Sequence, residues 1–160
     1  MDQELFVLAE KLGRSLLAQG KTIALAESCT GGLLAATLTD VAGSSAWFDR
    51  GFVTYSNQAK MDLLAVEPET LQQYGAVSAE TAKQMAAGVL AHSRADVAIA
   101  VTGIAGPGGG TVDKPVGTVF IAWQWRYQEP FVACHLFPGD RQQVRRQTVL
   151  SGLRGLLDKV

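Results

Sequence analysis

The chain has 160 residues, of which 48% are hydrophobic and 18% charged, a composition typical of one globular domain rather than a disordered chain. Its 14 lysines and arginines against 15 aspartates and glutamates give a formal net charge of −1, which argues against nucleic acid or an acidic membrane surface as a partner. No apolar run approaches the roughly 18–20 residues of a membrane span, and the acidic start lacks the basic-then-apolar pattern of a secretion signal.

Apolar residues recur along the chain either at helical spacing or in short β-prone runs. Gly20 is placed to end the first helix, and Asn57 and Ser78 are placed to cap two others. The predicted elements, in chain order, are a helix over residues 2–19, a strand over 22–26, a helix over 33–39, a strand over 51–55, a helix from 57, a short helix from 68, a helix over 79–93, strands over 96–102, 116–125 and 131–137, and a final helix from 140.

The order of these elements predicts the fold class. Strands alternate with helices up to residue 102, which favours parallel pairing through helical crossovers. Only a few residues connect the last two strands, so they are expected to pair as an antiparallel hairpin. The sequence therefore predicts an α/β protein, a three-layer α/β/α sandwich with a mixed, mostly parallel five-stranded sheet. Neither a linker nor a repeat interrupts residues 1–160, which are predicted to form a single domain.

Three hydroxyl residues lie at or just beyond the ends of the first three predicted strands. They are Ser28, Tyr55 and Thr102. Ligands of open α/β sheets bind in crevices outside the carboxyl ends of parallel strands. Each hydroxyl alone is unremarkable at a strand end, but the three together favour a site at this edge of the sheet.

The turn over residues 27–32, Glu-Ser-Cys-Thr-Gly-Gly, combines a serine with a predicted helix start. Unpaired N–H groups at a helix start suit an oxyanion or a phosphate, and the two glycines permit close approach of backbone or ligand. An ordinary helix N-cap by Ser28 or Thr30 explains the same residues equally well. The pattern by itself leaves both interpretations open.

A nucleophilic serine needs a base. His92 and His135 have no carboxylate placed in the sequence to orient them, so a Ser-His-Asp triad is unsupported. Lys60 follows the second predicted strand by one helical turn among apolar neighbours, and it could act as the base only if desolvation lowered its ordinary pKa of about 10.4. A solvated surface lysine is the commoner case. Cys29 is a rival nucleophile, although a buried inert thiol fits it better.

The remaining candidates are a glycine-rich loop over residues 103–110 and the arginines of the last helix. The loop lacks the lysine of a P-loop and fits either a lid or a cavity wall. Arg141 at the helix start could clamp a phosphate, although a surface ion pair is more common. Arg145 and Arg146 are predicted to form a solvated face.

Cys29 and Cys134 lie far apart without metal-ligand spacing, which favours reduced thiols and a cytoplasmic protein.

Six motifs, in order along nearly the whole chain, resemble the C-terminal domain family of competence-induced protein A (CinA). They are AESCTGG at residues 26–32, GSSAWF at 43–48, GFVTYSN at 51–57, GAVS at 75–78, TGIAGP at 102–107 and KPVGTV at 114–119. Several long motifs in register are far more specific than any one of them.

The resemblance implies the activity of the stand-alone family members, which are nicotinamide-nucleotide amidases of pyridine nucleotide recycling. The implied reaction is hydrolysis of nicotinamide mononucleotide to nicotinate mononucleotide and ammonia, with no cofactor and no metal. The substrate is thus a small molecule, neither nucleic acid nor membrane is an expected partner, and a homo-oligomer is expected. Two alternatives stay open, a non-catalytic paralogue that binds pyridine nucleotides and a Ser-Lys amidase for another carboxamide.

The resemblance also implies roles for individual residues. Ser28 is the nucleophile, Lys60 is its base, and Tyr55 relays a proton to the departing ammonia. Thr102 lines the site and Arg141 faces the substrate phosphate. The further residues expected to bind substrate are Cys29, Thr30, Gly31, Gly43, Ser44 and Gly103.

Overall fold

A five-stranded sheet in the order β2-β1-β3-β4-β5 forms the centre of the molecule. The computed structural model describes residues 2–160. Strands β1, β2 and β3 pair in parallel, whereas β4 pairs antiparallel with both β3 and β5. The strands are β1 (Ile23–Glu27), β2 (Phe48–Val53), β3 (Val97–Gly103), β4 (Thr118–Trp125) and β5 (Phe131–Leu136).

Helices cover both faces of this sheet. Helices α1, α2 and α6 contact one another on one face, and α3 and α4 pack on α5 on the other. The helices are α1 (Gln3–Gln19), α2 (Leu33–Thr39), α3 (Asn57–Leu64), α4 (Pro68–Tyr74), α5 (Ala79–Ala91) and α6 (Arg141–Leu157), and a short 3-10 helix spans Ser44–Ala46. This arrangement confirms the predicted three-layer α/β/α fold.

Alternation along β1 divides the interior into two cores. Ile23 and Leu25 pack into the core beneath α1, α2 and α6. Ala24 and Ala26 lie on the opposite face with the residues of α5. Since successive side chains of a strand point to opposite faces, a continuous apolar run fills both layers. All five residues of β1 are buried, Glu27 included, and the strand thereby fixes the position of the turn that follows it.

The parallel strands β1, β2 and β3 end at a common edge, where the site residues gather. Two predicted details are wrong at this edge. Strand β2 begins at Phe48 and ends at Val53, so Tyr55 follows the strand instead of closing it. Ser56, not Asn57, caps α3, because its hydroxyl accepts the N–H of Ala59.

None of the helices within residues 2–160 has the length and apolar character needed to cross a membrane.

Candidate active site

Ser28 is the first residue after β1, and it is held in place by the neighbouring strand. Its N–H donates to the carbonyl of Val101 in β3, at 3.1 Å. Ser28 is buried, with an exposure of 7%, and its Oγ lies 2.9 Å from Nζ of Lys60. The structure therefore brings together the two residues on which the predicted chemistry depends.

Lys60 reaches Ser28 from helix α3. Lys60 and Leu64, four residues apart, are the buried residues of this helix, as expected for positions that share one helix face. Lys60 is only 1% exposed, and burial lowers the pKa of its amine because an ammonium ion is costly to remove from water. The solvated surface position that lysines usually occupy is thus excluded for Lys60.

Three oxygen atoms surround the amine of Lys60. Its Nζ donates to the carbonyl of Thr54 at 2.8 Å and lies 3.5 Å from the carbonyl of Tyr55. A neutral amine has two N–H donors and one lone pair. Nζ also lies 2.9 Å from Ser28 Oγ, to which it donates in its charged form. In the neutral form, two N–H groups suffice for the two carbonyls, and the lone pair can accept the hydroxyl proton of Ser28. No described carboxylate forms an ion pair with Lys60, so no negative side chain holds its amine in the charged form. The arrangement can accept a proton from serine.

The turn after Ser28 is organised by Glu27, which the sequence reasoning did not single out. The Glu27 carboxylate is fully buried and accepts hydrogen bonds from the Thr30 hydroxyl at 2.6 Å, the Leu34 N–H at 2.8 Å and the Ala35 N–H at 3.0 Å. It takes the place of an N-cap side chain, since the N-cap of α2 is Gly32 with φ +109°. Neither Ser28 nor Thr30 caps the helix, which corrects that alternative.

This contact also changes which groups could hold an oxyanion. Helix α2 begins at Leu33, and its first free N–H groups are taken by Glu27. Within the turn, the Gly31 N–H donates to the Ser28 carbonyl at 3.0 Å. The N–H groups of Cys29, Thr30 and Gly32 donate to no backbone carbonyl in the part of the chain that the structure describes. Available donors therefore lie in the turn, not in the helix.

Cys29 is an unreactive neighbour of the nucleophile. Its side chain packs in the core beneath α1, α2 and α6, and burial raises the pKa of its thiol to about 11, although the charge of Arg145 acts in the opposite direction. A thiol with this pKa stays protonated at neutral pH and is a poor nucleophile. The structure favours the inert role expected for it.

A cavity of about 290 Å³ opens at this edge of the sheet. Ser28, Cys29 and Lys60 line it together with Tyr55 and Thr102, and the glycine-rich loop forms a wall of it. The other lining residues are Asn57, Ala76, Val77, Gly103, Ile104, Ala105, Gly106, Gly108, Gly109 and Arg141. The predicted convergence of the three strand-end hydroxyls is thus present in the structure.

Tyr55 and Arg141 meet at the mouth of this cavity. Nη2 of Arg141 donates to the Tyr55 hydroxyl at 3.0 Å, and Nη1 donates to the carbonyl of Gly106 at 2.8 Å. Arg141 therefore ties the glycine-rich loop to the end of the β2 segment. Thr102 is oriented differently, because its hydroxyl donates to the Ala76 carbonyl at 2.8 Å. Gly103 is needed for packing, since a Cβ there would stand 2.6 Å from a methyl group of Val119.

Four residues expected to bind substrate do not line the cavity. Thr30 and Gly31 belong to the nucleophile turn, where Thr30 is fully buried. Gly43 and Ser44 lie with the 3-10 helix that precedes β2, at the amino end of the sheet, where the Ile23 N–H bonds the Trp47 carbonyl. The parallel strands separate this end from the cavity by their whole length.

A comparison with protein families identifies the fold independently. The model of the CinA C-terminal domain matches residues 6–160. The chain belongs to the CinA C-terminal domain family. The predicted family membership is thereby confirmed.

Close relatives and solved structures agree with this membership. The chain is 51% identical over 155 residues to the nicotinamide-nucleotide amidohydrolase PncC of Escherichia coli strain K12, covering 97% of this chain and 94% of that protein. It is likewise 51% identical to the PncC of Enterobacter agglomerans, covering 98% and 95%. The crystal structure of the competence/damage inducible protein CihA from Agrobacterium tumefaciens matches with a TM-score of 0.94 at 47% identity, covering 97% and 94% of the two chains. The predicted enzyme class, an amidohydrolase, is confirmed.

Two arginines of this CinA-family chain do not form the solvated face that the sequence predicted. Arg145 is half-buried and donates to the Cys29 carbonyl at 3.2 Å and the Thr30 carbonyl at 2.9 Å. Arg146 pairs with Asp2 and Glu4 of the N-terminal segment. The partners of each arginine lie more than 100 residues away from it in sequence, so no local pattern could reveal them.

Both histidines of the chain fall within the described residues and outside the cavity lining. His92 is the C-cap residue of α5, and its Nδ1 lies 2.8 Å from the Gly88 carbonyl. His135 lies in β5 with its ring stacked on Phe137. The rejection of a histidine base therefore agrees with their positions.

Proposed function

We propose that this CinA-family chain is a nicotinamide-nucleotide amidase, which hydrolyses nicotinamide mononucleotide to nicotinate mononucleotide and ammonia through an acyl-enzyme on Ser28. The observation that supports the proposal is the 2.9 Å contact between Ser28 Oγ and a buried Lys60 amine. The names of the relatives at 51% identity supply the substrate.

In the first half-reaction, the neutral Lys60 amine takes the hydroxyl proton as Ser28 Oγ attacks the carboxamide carbon. The carbonyl oxygen becomes an oxyanion. The Cys29 N–H is a suitable donor for it, because Cys29 lines the cavity beside Ser28 and its N–H donates to no backbone carbonyl of the described residues. The C–N bond then breaks, and the nitrogen leaves as ammonia with the proton that Lys60 had taken.

In the second half-reaction, water attacks the ester carbon of the acyl-enzyme. Lys60 accepts a proton from the water, the bond between the carbon and Ser28 Oγ breaks, and Oγ recovers its proton from Lys60. The product leaves as the carboxylate. One group thus serves as base and acid in both halves, for which its amine must exchange a proton readily near neutral pH. Lowering of the Lys60 pKa by burial acts in that direction.

Tyr55 and Arg141 line the same cavity as Ser28 and Lys60. The Tyr55 hydroxyl accepts a hydrogen bond from Arg141, and we propose that it relays the proton of Lys60 to the departing ammonia by giving its own proton and receiving that of Lys60. Arg141 uses one N–H on each of two nitrogens for protein contacts, and a guanidinium has five such donors. Its remaining donors and its charge are proposed to meet the substrate phosphate.

Ammonia release from nicotinamide mononucleotide by the purified protein tests the proposal. Turnover by the wild-type protein and its loss in Ser28→Ala are the expected results. Binding of the mononucleotide without release of ammonia would identify a non-catalytic paralogue instead. Equal turnover of free nicotinamide would identify an amidase for another carboxamide and would remove the proposed role of Arg141.

The family resemblance further supports a place in pyridine nucleotide recycling, a cytoplasmic location and self-association. Self-association is tested by light scattering after size-exclusion chromatography, where a single-chain mass of 17.0 kDa would contradict it.

A further inference from the structure

Two charged side chains, those of Glu27 and Arg145, bind the turn that follows Ser28, one as a hydrogen-bond acceptor and the other as a donor. The Glu27 carboxylate accepts hydrogen bonds from donor groups of the turn, among them the Thr30 hydroxyl. Arg145 donates to its acceptor groups, the carbonyls of Cys29 and Thr30. Thr30 is thus bound by its side chain to an anion and by its carbonyl to a cation. The Ser28 N–H adds a third attachment through β3.

The Arg145 contact constrains the peptide planes that follow the nucleophile. A peptide unit is planar and trans, so its carbonyl and its N–H point in opposite directions. Because one guanidinium binds two successive carbonyls, the N–H groups of Thr30 and Gly31 both point away from it. Gly31 donates its N–H to the Ser28 carbonyl at 3.0 Å, which closes the turn in the conformation that Arg145 fixes.

Arg145 acts on the turn without touching the cavity. Arg141 and Arg145 are four residues apart in α6 and therefore share one face of the helix. Arg141 lines the cavity, whereas Arg145 does not. Its charge nevertheless reaches this region, since it opposes the effect of burial on the Cys29 thiol. A positive charge behind the turn favours negative charge that develops in front of it.

From these contacts we infer that Arg145 is a positioning residue for the nucleophile: it fixes the backbone of residues 28–31 so that Ser28 Oγ stays on Lys60 and the Cys29 N–H keeps its direction. The inference rests on the proposed function for its catalytic consequence. Its structural consequence, a rigid turn, can be measured separately. A planar fork that binds two carbonyls at once is a geometry that lysine cannot reproduce.

The test compares Arg145→Met and Arg145→Lys with Arg146→Met as the matched control. Arg146 is the next residue of the same helix, but its partners are Asp2 and Glu4. Arg145→Met is expected to lower kcat by roughly 10- to 100-fold, less than the roughly 100- to 1000-fold loss on removal of an oxyanion donor itself, and to leave KM within a few-fold. Arg145→Lys is expected to recover only part of this loss, and Arg146→Met to keep the wild-type kcat.

A small alkyl fluorophosphonate gives a second readout that does not depend on the natural substrate. Ser28 Oγ attacks phosphorus, the P–F bond breaks, fluoride leaves and Lys60 takes the proton. The rate of this labelling is expected to fall in Arg145→Met to the same extent as kcat. Wild-type labelling and wild-type kcat in Arg145→Met would overturn the inference. If that variant does not fold, a wild-type kcat in a folded Arg145→Lys overturns it equally.

Amide hydrogen exchange separates this inference from the proposed function. Exchange within residues 28–33 is expected to accelerate in the Arg145 variants and to stay unchanged in Arg146→Met. Unchanged exchange in the Arg145 variants would overturn the inference, whatever the substrate proves to be. Accelerated exchange in a protein that releases no ammonia and is not labelled would support the positioning of the turn and contradict the amidase.

Discussion

The side chains of Lys60 and Ser28 stand 32 residues apart in sequence, and their Nζ and Oγ atoms lie 2.9 Å apart in the structure. The distance depends on the packing of α3 on α5, which leaves Lys60 only 1% exposed. A lysine can act as a base for serine only where water is excluded from it. The first predictions concern this pair.

Replacing Lys60 by methionine is expected to lower kcat for ammonia release by roughly 100-fold or more, the contribution of a well-placed general base. Methionine fills a similar volume, so the variant is expected to fold. Lys83→Met is the matched control, because Lys83 is exposed on α5. Wild-type turnover in Lys60→Met would remove Lys60 from the mechanism.

Activity is expected to rise with pH as the Lys60 amine loses its proton, through a pKa below that of free lysine because burial lowers it. Measuring kcat/KM against pH checks this. Cys29→Ala should retain the same rising limb, since the pKa of the Cys29 thiol is raised to about 11. A limb centred at about 10.4, the ordinary lysine value, would contradict the role of burial.

The lowered pKa of Lys60 also predicts how the free energy of unfolding depends on pH. A lysine whose pKa is lower in the folded state binds fewer protons there than in the unfolded chain, so the free energy of unfolding rises with pH between the two pKa values. The gain is complete above the unfolded pKa and absent below the folded one. The raised pKa of the Cys29 thiol acts in the opposite direction between about pH 9 and about pH 11, so the rise is expected in the difference between the wild-type protein and Lys60→Met, measured by urea unfolding at several pH values.

Ser28→Ala and Cys29→Ala are expected to differ sharply. Ser28→Ala should abolish the acyl-enzyme, because it removes the hydroxyl bonded to Lys60. Cys29→Ala should keep turnover and lose some stability, because the thiol packs in the core. Intact-protein mass spectrometry of rapidly quenched reactions detects the acyl group. An acyl group retained in Ser28→Ala would assign the chemistry to sulfur.

Glu27→Gln is expected to destabilise the fold by about 1–3 kcal/mol, the cost of leaving buried donors without an acceptor. One carboxylate oxygen accepts from the Thr30 hydroxyl and the Leu34 N–H, and the other accepts from the Ala35 N–H. The amide nitrogen of glutamine is a donor, so whichever oxygen it replaces, at least one buried N–H loses its acceptor. Urea unfolding measures the change. Glu129→Gln, at an exposed position, is the control, and equal stabilities of the two variants would contradict the role of Glu27.

Local pattern predicted the fold well because its signals are local. The continuous apolar run at β1 and the short connection between β4 and β5 predict a buried strand and a hairpin without reference to the rest of the chain. The exact ends of elements depend on more than local pattern. The predicted Asn57 cap fails by one residue because Ser56 offers an equivalent side-chain oxygen, and two neighbouring capping residues cannot be ranked from sequence.

For the candidate site, some residues could be predicted from sequence and others could not. Ser28, Tyr55 and Thr102 could be placed from strand ends alone, and the cavity includes all three. The roles of Glu27 and Arg145 could not be predicted, because carboxylate and guanidinium side chains are usually exposed to solvent. Only the buried turn provides the donors and carbonyls that satisfy them. Gly43 and Ser44 form part of a family motif, yet the sheet holds them at its opposite end.

The contact of Lys60 with Ser28 marks the limit of what sequence alone determined. The sequence determined that a serine follows a buried strand and that a lysine follows the next one by a helical turn. Tertiary structure alone decided that the lysine is buried and that its Nζ lies within hydrogen-bond distance of two carbonyls and of the serine hydroxyl. Desolvation is the physical reason, because the pKa of an amine depends on the groups packed around it and not on its neighbours in the chain.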